Sequence, residues 1–385
     1  MRSIKLSFAS SILGVLLLTA CQVDRPQEST DKATANEEQL PFPTPQIPFD
    51  PHHYIAYRTD ETISIDGRLD EEIWEQAPWT EEFGDIEGDL QPDPHYRTRA
   101  KMLWDDDYLY FTAELEDPDL WSTYDERDLI LWDENNFEIF IDPDGDTHNY
   151  WEFQINPIQA IFDIFMAKPY RDEGTYLMNW NLIGEDALVG VHLDGSLNEP
   201  ESEDRGWTLE IALSWDALSE FLRGRNRPDT GDQWRLNFSR VQHDLRVVDG
   251  EYRRYEDPDS GRLRPERNWS WSPQGLINMH YPEMWGYLQF SDHVAGKGTD
   301  EFVRDPDEDV KWALREIYYK QRTHHRTHGR YSDDSSELTL ESIQVEGVDV
   351  DPEIQTTMTQ FEATLPGIDG ERTWLINQEG RVLSR

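Results

Sequence analysis

Short runs in which apolar and polar positions alternate recur between residues 54 and 292. In one of the clearest, every second position is apolar: Leu109, Phe111, Ala113 and Leu115. A period of two is typical of a strand with one buried face, and the Asp, Gly, Asn and Pro residues between the runs are typical of turns. Helical patterns in this part of the chain are confined to residues 66–74 and 214–218. The pattern predicts a mainly antiparallel β-sandwich or barrel.

The pattern changes after residue 292. Acidic residues at 305–309 precede a run whose apolar side chains recur at helical spacing as far as His328, and Gly329 follows as a stop signal. Further strands are predicted over residues 342–348, 360–365 and 373–376. We therefore expect a small α+β C-terminal region over residues 293–385, which could dock a protein partner.

The first residues are typical of a bacterial export signal. A basic start precedes an apolar run over residues 8–18 that is too short to cross a bilayer comfortably. The following Leu-Thr-Ala-Cys sequence resembles the lipobox of bacterial lipoproteins. We expect residues 1–20 to be a signal peptide and Cys21 to carry lipid, which would anchor the exported protein at the cell envelope, on an outer membrane where the organism has one. Cys21 is the only cysteine, so no disulfide can form within the chain.

A polar segment rich in Pro follows the anchor. Residues 21–50 contain many Gln, Glu, Asp and Thr residues and end in four closely spaced prolines between positions 41 and 48. Pro at this density holds a chain extended without internal hydrogen bonds. We predict a tether over residues 21–50 and a first folded domain over residues 51–292.

Acidic residues dominate the composition. The 385 residues include 79 Asp and Glu against 35 Lys and Arg, which gives a formal net charge of −44. Such a surface repels nucleic-acid phosphates and anionic lipid headgroups, so we exclude nucleic-acid partners and expect membrane contact only through the lipid anchor. The acids are spread along the chain rather than concentrated in one tail, which is typical of proteins from saline environments and predicts lower stability in low salt.

Four segments in register resemble the family 9 carbohydrate-binding modules, which are known from xylanases and bacterial surface proteins. They are residues 65–74, 103–110, 132–142 and 269–273, the last leading to Met284-Trp285-Gly286. The resemblance covers about residues 54–292. It implies a β-sandwich that binds an oligo- or polysaccharide without catalysis and is associated with polysaccharide catabolism.

The resemblance also implies which residues contact the sugar. Trp132 occupies the position of one ring of a two-Trp clamp, and Glu138 that of a carboxylate that accepts hydroxyl hydrogen bonds. Gln154 stands where the family has an Arg, and Met279 stands at the second clamp position. Either a neighbour such as Tyr281 completes the clamp or the clamp is incomplete. Trp271 alternates with Trp269, so one of the two could face the site.

Three carboxylates at alternate positions of a turn could bind a metal. They are Asp142, Asp144 and Asp146, and hard oxygen ligands of this kind suit calcium. The spacing is not that of an EF-hand, and a solvated hairpin turn explains the same residues. The resemblance favours structural calcium, because the family contains calcium sites.

Three alternatives to sugar binding remain open. Sandwiches similar to this family also hold b-type haem, for which Met279 and His280 are candidate ligands. The sandwich could instead be a scaffold that has lost its ligand. Glycoside hydrolysis would need two opposed carboxylates, but with 79 acidic residues a carboxylate pair arises by chance and indicates little.

Overall fold

The computed structural model describes residues 41–178, 187–218, 225–340, 343–349 and 351–385. The predicted signal peptide, Cys21, most of the predicted tether and the first residue of the strand predicted at 342–348 lie outside these ranges. None of the helices in the described ranges is long and apolar enough to span a bilayer.

Strands are the main regular elements in the region before residue 295. The strands are β1 (His53–Arg58), β2 (Gly84–Asp85), β3 (Thr98–Trp104), β4 (Tyr108–Glu116), β5 (Asn136–Asp142), β6 (Tyr150–Ile155), β7 (Ile161–Met166), β8 (Tyr176–Met178), β9 (Ala187–Asp194), β10 (Gly206–Ser214), β11 (Gln233–Gln242), β12 (Leu245–Val248), β13 (Glu251–Arg254), β14 (Arg267–Ser270) and β15 (Gly286–Val294). The helices are α1 (Glu72–Gln76) and α2 (Trp215–Leu218), which fall within or beside the two predicted helical segments.

One hydrogen-bonded path joins the strands in the order β8-β7-β6-β5-β11-β15-β1-β3-β4-β10-β9. Strand β11 pairs with β15 along its first half and with β14 along its second half, so the sheet divides there. Strand β1 lies parallel to both β15 and β3, while the other pairings along the path are antiparallel. The mainly β fold with a sandwich architecture is confirmed.

The two halves of this path share one apolar core. Strand β5 contributes Phe137 and Ile139 to it, and Phe111 of β4 and Ile211 of β10 reach it from the other half. Because side chains alternate along a strand, Glu138 must face away from this core. The outer face of β5, β6 and β7 therefore carries residues that the core does not use.

A buried carboxylate fixes the first of the four resembling segments to the sandwich. Glu210 of β10 accepts hydrogen bonds from the Trp74 indole at 2.8 Å and from the backbone N–H groups of Asp66 and Gly67 at 3.1 and 2.9 Å. Gly67 has a φ of +86°, and a Cβ there would lie 2.4 Å from the backbone of His192, so only glycine fits. The residue pattern of this segment is therefore explained by folding rather than by ligand binding.

The C-terminal region is α+β. Its elements are α3 (Glu308–His328), α4 (Ser335–Leu338), β16 (Gln344–Val345), β17 (Val348–Asp349), β18 (Glu353–Thr356), β19 (Phe361–Pro366), β20 (Thr373–Asn377) and β21 (Val382–Ser384). Helix α3 has acidic residues in its first turn and ends at Gly329, which adopts a left-handed φ of 70°. Both features agree with the sequence prediction. Strands β18 to β21 form an antiparallel sheet that packs on α3.

Residues 41–50 pack on the C-terminal region, which corrects the tether prediction for this segment. Phe42 is buried edge-on to Tyr318, with ring centroids 5.7 Å apart, and Phe49 stacks on Trp312 at 4.3 Å. The prolines hold the segment extended as expected, but the aromatic side chains between them have apolar area to bury. The sequence pattern of the prolines alone does not reveal this docking.

Buried ion pairs link the sandwich to the C-terminal region. Glu283 of the sandwich contacts Arg315 of α3 at 3.5 Å and also contacts Arg171, in the loop between β7 and β8, at 2.8 Å. Asp172, the neighbour of Arg171, accepts a hydrogen bond from Tyr318 of α3 at 2.5 Å and pairs with Arg322. Removing one member of such a pair would leave an uncompensated buried charge, so these contacts make the docking specific.

Candidate functional site

Alternate residues of β5 and β6 form a polar floor on the outer face of the sheet. Glu138 lies opposite Gln154, and Phe140 lies opposite Glu152. Both glutamates are only 4% exposed, and Gln154 is fully buried. Two carboxylates and an amide thus converge where most sheets place either apolar or solvated side chains.

A cavity of about 420 Å³ lies above this floor. Its walls come from Trp132, from Tyr170 and Tyr176, and from the loop over residues 277–280. The volume is within the range of small-ligand pockets, and the lining combines aromatic rings with a few convergent polar groups. The sequence-predicted residues Trp132, Glu138, Gln154 and Met279 all line it.

Aromatic side chains stand exposed on two sides of the cavity. Trp132 is 37% exposed, Tyr170 38% and Tyr176 42%. Trp132 is held by a short 3₁₀ turn in which its neighbour Leu131 is fully buried, and its ring meets the Phe162 ring edge-on at 5.4 Å. These rings present apolar faces to the cavity while their neighbours fix the backbone.

The second aromatic wall is positioned in the same way. Tyr170 begins a 3₁₀ turn whose next two residues, Arg171 and Asp172, belong to the buried ion pairs described above. Tyr170 and Tyr176 contact each other edge-on at 6.2 Å, and the His280 ring lies 4.4 Å from that of Tyr170. Rigid anchors therefore support both walls of the cavity.

The electrostatics of the floor favour neutral carboxyls when the cavity holds no cation. Burial raises the pKa of Glu152 to about 7, against the opposing effect of a 2.5 Å hydrogen bond from the Gln154 amide. Burial, together with the neighbouring charge of Glu152, raises the pKa of Glu138 well above its usual range. The Oε1 atom of Gln154 is buried and has no hydrogen-bond partner among the described residues. The floor is therefore rich in acceptors.

Two of the sequence-predicted site residues lie elsewhere. Trp271 is fully buried in the sandwich core, where its indole donates to Glu81 at 2.9 Å, and Trp269 is buried in the same core. Strand β14 ends at Ser270, so the alternation that would have turned one of the two Trp outward does not continue. Tyr281 is buried against the C-terminal region, with its hydroxyl donating to the Pro43 carbonyl at 3.0 Å. Neither residue can complete a clamp.

The loop at Met279 and His280 provides no free haem ligand. The Nδ1 atom of His280 lies 2.9 Å from the Tyr150 hydroxyl, and its Nε2 atom lies 3.6 Å from Glu152. Burial, followed by the charge of Arg171, lowers the pKa of His280 to about 3, so the ring is neutral. Met279 is nearly buried and packs with Trp285. Both candidate ligands are thus engaged in packing and hydrogen bonds.

The acidic turn after β5 brings its three carboxylates together. Ligand atoms of Asp142, Asp144 and Asp146 lie within 4.8 Å of one another, as a calcium site requires. Burial and the neighbouring carboxylates raise the pKa of Asp142, which a cation would reverse. Asp146, however, already pairs with Arg381 at 2.9 Å, and both Asp142 oxygens accept backbone N–H groups. The turn could hold calcium with these residues, sharing Asp146 with Arg381.

The sequence analysis missed both Tyr170 and Tyr176, as well as Glu152. Glu152 had a usable signal, because it lies two residues before Gln154 on the same strand and must share its face. The tyrosines had none, since they lie in a turn and a three-residue strand with no periodic pattern.

Comparison with known proteins identifies the part of the chain that carries this site. Residues 65–177 match the model of the family described as carbohydrate family 9 binding domain-like. This part of the chain is similar to family 9 carbohydrate-binding domains. The site residues on β5 and β6 and the two tyrosines, Tyr170 and Tyr176, lie within the matched residues. Met279 and His280 lie beyond them.

Curated relatives of the family 9-like domain are much longer proteins. The exoglucanase XynX of Acetivibrio thermocellus is 24% identical over 121 residues, which are 31% of this chain and 9% of that protein. The endo-1,4-beta-xylanase A of Thermotoga maritima is 33% identical over 91 residues, which are 24% of this chain and 8% of that protein. The chain therefore spans less than a tenth of the length of these relatives.

Solved structures include two of a family 9 carbohydrate-binding module from Caldicellulosiruptor kristjanssonii. The complex with cellotriose has a TM-score of 0.40 at 15% identity and covers 64% of this chain and 98% of the module. The complex with glucose has a TM-score of 0.39 at 15% identity, covering 64% of this chain and all of the module.

Proposed function

We propose that the protein binds an oligo- or polysaccharide in the cavity above β5 and β6, without catalysing its breakdown. The observation that carries this proposal is the convergence of Trp132, Glu138 and Gln154 with two exposed tyrosines around one cavity. A pyranose has C–H patches that stack on aromatic rings and hydroxyl groups that hydrogen-bond to carboxylates and amides. The family match and the cellotriose and glucose bound by the Caldicellulosiruptor module support the same class of ligand.

Calorimetric titration with a panel of plant, algal and bacterial oligosaccharides tests this proposal. We expect saturable binding of at least one glycan, lost in Trp132→Ala. The matched control is Trp79→Ala, because Trp79 is partly exposed but lies outside the cavity, beneath Arg99. Binding that survives Trp132→Ala, or the absence of binding across the panel, would refute the proposal. Release of reducing ends from a bound glycan would refute the non-catalytic part.

We also propose that the chain is a lipid-anchored envelope protein involved in polysaccharide catabolism. The support is the apolar run that ends in the lipobox-like sequence at Cys21. Metabolic labelling with palmitate should label the wild-type protein and not Cys21→Ser, and the variant should move from the membrane to the soluble fraction. Equal membrane retention of both forms would contradict the anchor.

Calcium binding at the acidic turn is a further part of the proposal. The proximity of the three carboxylates supports it, and Asp144 is the member that can be changed without disturbing packing, since its side chain is exposed. We expect calcium to raise the melting temperature of the wild-type protein, and a chelator or Asp144→Asn to remove the increase. A melting temperature that does not depend on calcium would refute this site. The expected protein partner of the C-terminal region stays a prediction.

A further inference from the structure

The cavity is rich in hydrogen-bond acceptors and lacks a cation. Glu138, Glu152 and Glu266 line it, and so does Gln154, whose buried Oε1 atom has no hydrogen-bond partner among the described residues. No Lys or Arg is among its lining residues in the part of the chain that the structure describes. His280 is neutral and its two ring nitrogens already face Tyr150 and Glu152.

Other buried carboxylates in this chain have an ion-pair partner or several hydrogen-bond donors. Glu283 pairs with Arg171 at 2.8 Å, Glu308 with Arg235 at 3.1 Å, and the buried Asp117 with Arg240 at 3.4 Å. Glu210 instead accepts three N–H donors. Burying a carboxylate costs free energy that a cation or several donors reduce, and this chain places such a partner beside each of these acids.

The two floor glutamates are exceptions to this rule. Among the described residues, Glu138 has no ion-pair partner and has the Ser239 hydroxyl as a side-chain hydrogen-bond donor, while Glu152 contacts the Gln154 amide and the neutral His280 ring. Both carboxyls border an open cavity, so a bound ligand can reach them. What the floor lacks is a positively charged group with several N–H donors, and a ligand could supply it.

We propose, on the basis of the proposed function, that the cavity selects a sugar with a free amino group, such as the glucosamine units of a deacetylated amino-sugar polymer. The protonated amine offers three N–H donors to Glu138, Glu152 and the Gln154 carbonyl. Trp132 and the two tyrosines provide ring faces for the pyranose C–H groups and for the cation. Uronic acids and sulfated sugars are disfavoured, because the residues that line the cavity offer their negative charge no Lys or Arg partner.

Three trisaccharides that differ only at C2 test this specificity: the glucosamine trimer, its fully N-acetylated counterpart and cellotriose. They carry an ammonium, an acetamide and a hydroxyl group, respectively. Calorimetric titration at pH 6, where the amine is protonated and its binding displaces a proton from the floor carboxyls, should show the glucosamine trimer binding about 10-fold more tightly than the other two, as expected for charge-assisted hydrogen bonds. Wild-type binding of all three with equal affinity would overturn the specificity and leave the proposed function intact.

Nonspecific attraction of a cation to this acidic protein must be separated from recognition in the cavity. The Glu138→Gln/Glu152→Gln double variant removes two of 79 acidic residues, so nonspecific attraction would hardly change. We expect the preference for the glucosamine trimer to fall below about threefold in this variant and to persist in the exposed control Glu72→Gln. A preference that survives the double variant would overturn the inference. If neither the wild type nor Trp132→Ala binds any of the three trisaccharides, the result would count against both the inference and the proposed function.

Discussion

Replacing Glu152 with Gln should stabilise the protein above pH 7 and leave its stability almost unchanged at pH 4. In the folded protein the pKa of Glu152 is raised from 4.5 to about 7, chiefly by burial. An unfolded chain loses the same proton near pH 4.5. Between these two values the folded state binds more protons than the unfolded state, so its stability falls as the pH rises. Gln has nearly the same shape, stays neutral and can still accept the hydrogen bond from Gln154.

The size of the effect follows from the two pKa values. The interval between 4.5 and about 7 corresponds to about 3 kcal/mol at 1.36 kcal/mol per pH unit. The free-energy difference between Glu152→Gln and the wild type should therefore grow from near zero at pH 4 to about 3 kcal/mol at pH 8. Removing the Glu152 charge also removes its repulsion of the Glu138 carboxylate, and this further increases the stability of the variant relative to the wild type at high pH.

Guanidinium unfolding at pH 4, 6 and 8 measures this difference directly. The control is Glu72→Gln, which removes one exposed carboxylate of α1 outside the cavity. A constant difference for Glu152→Gln across the three pH values would refute the electrostatic account of the cavity floor. A loss of stability at pH 8 would show that the carboxylate has a compensating partner in the folded protein.

Three other substitutions test the walls and the docking of the C-terminal region. Tyr170→Ala should weaken glycan binding by roughly 30-fold, because the exposed 38% of Tyr170 offers roughly 75 Å² for stacking, or about 2 kcal/mol. It should also lower the melting temperature slightly, because the rest of the ring packs on Tyr176 and His280. Unchanged affinity in calorimetry would show that Tyr170 does not contact the glycan. Phe42→Ala should lower the free energy of unfolding by about 3 kcal/mol. A loss below about 1 kcal/mol would mean that the docking of residues 41–50 contributes little to stability. Burial opposes the ionisation of Glu283, but the charges of Arg171 and Arg315 outweigh it and lower its pKa to about 2. Glu283→Gln should therefore cost about 3 kcal/mol at pH 7, with the difference vanishing as the pH falls through about 2; equal losses at pH 2 and 7, measured by denaturant unfolding, would contradict this.

Much of the fold could be predicted because its elements have periodic signals. The alternation in β4 and β5 reflects one buried face, and α3 shows both its acidic start and its glycine stop. The docking of residues 41–50 could not be predicted, since extended Pro-rich segments look the same whether their aromatic side chains are solvated or buried. The pairing of β1 parallel to its two neighbours is likewise a long-range property that no local pattern encodes.

The candidate site was predictable only where a motif and a strand coincide. Trp132 and Glu138 lie in one resembling segment, and Gln154 follows on the paired strand. Trp271 and Tyr281 were assigned to the site by their position relative to nearby motifs, but their side chains are buried in two different apolar cores. Whether an aromatic residue lines a cavity or fills a core depends on which partner surface it meets, and that information is spread over the whole chain.

The cavity and the C-terminal region depend on the same two loops. Tyr170 lines the cavity, while its neighbour Arg171 reaches into the buried ion pairs with Glu283. In the second loop, His280 lines the cavity, while Tyr281 packs against α3 and lies beneath the Arg171 guanidinium, 4.1 Å from the ring centroid. Each loop thus turns one residue toward the ligand site and the next toward the C-terminal region. Because backbone neighbours move together, the packing of the C-terminal region fixes one wall of the cavity, and the two parts of the protein cannot be understood as independent modules.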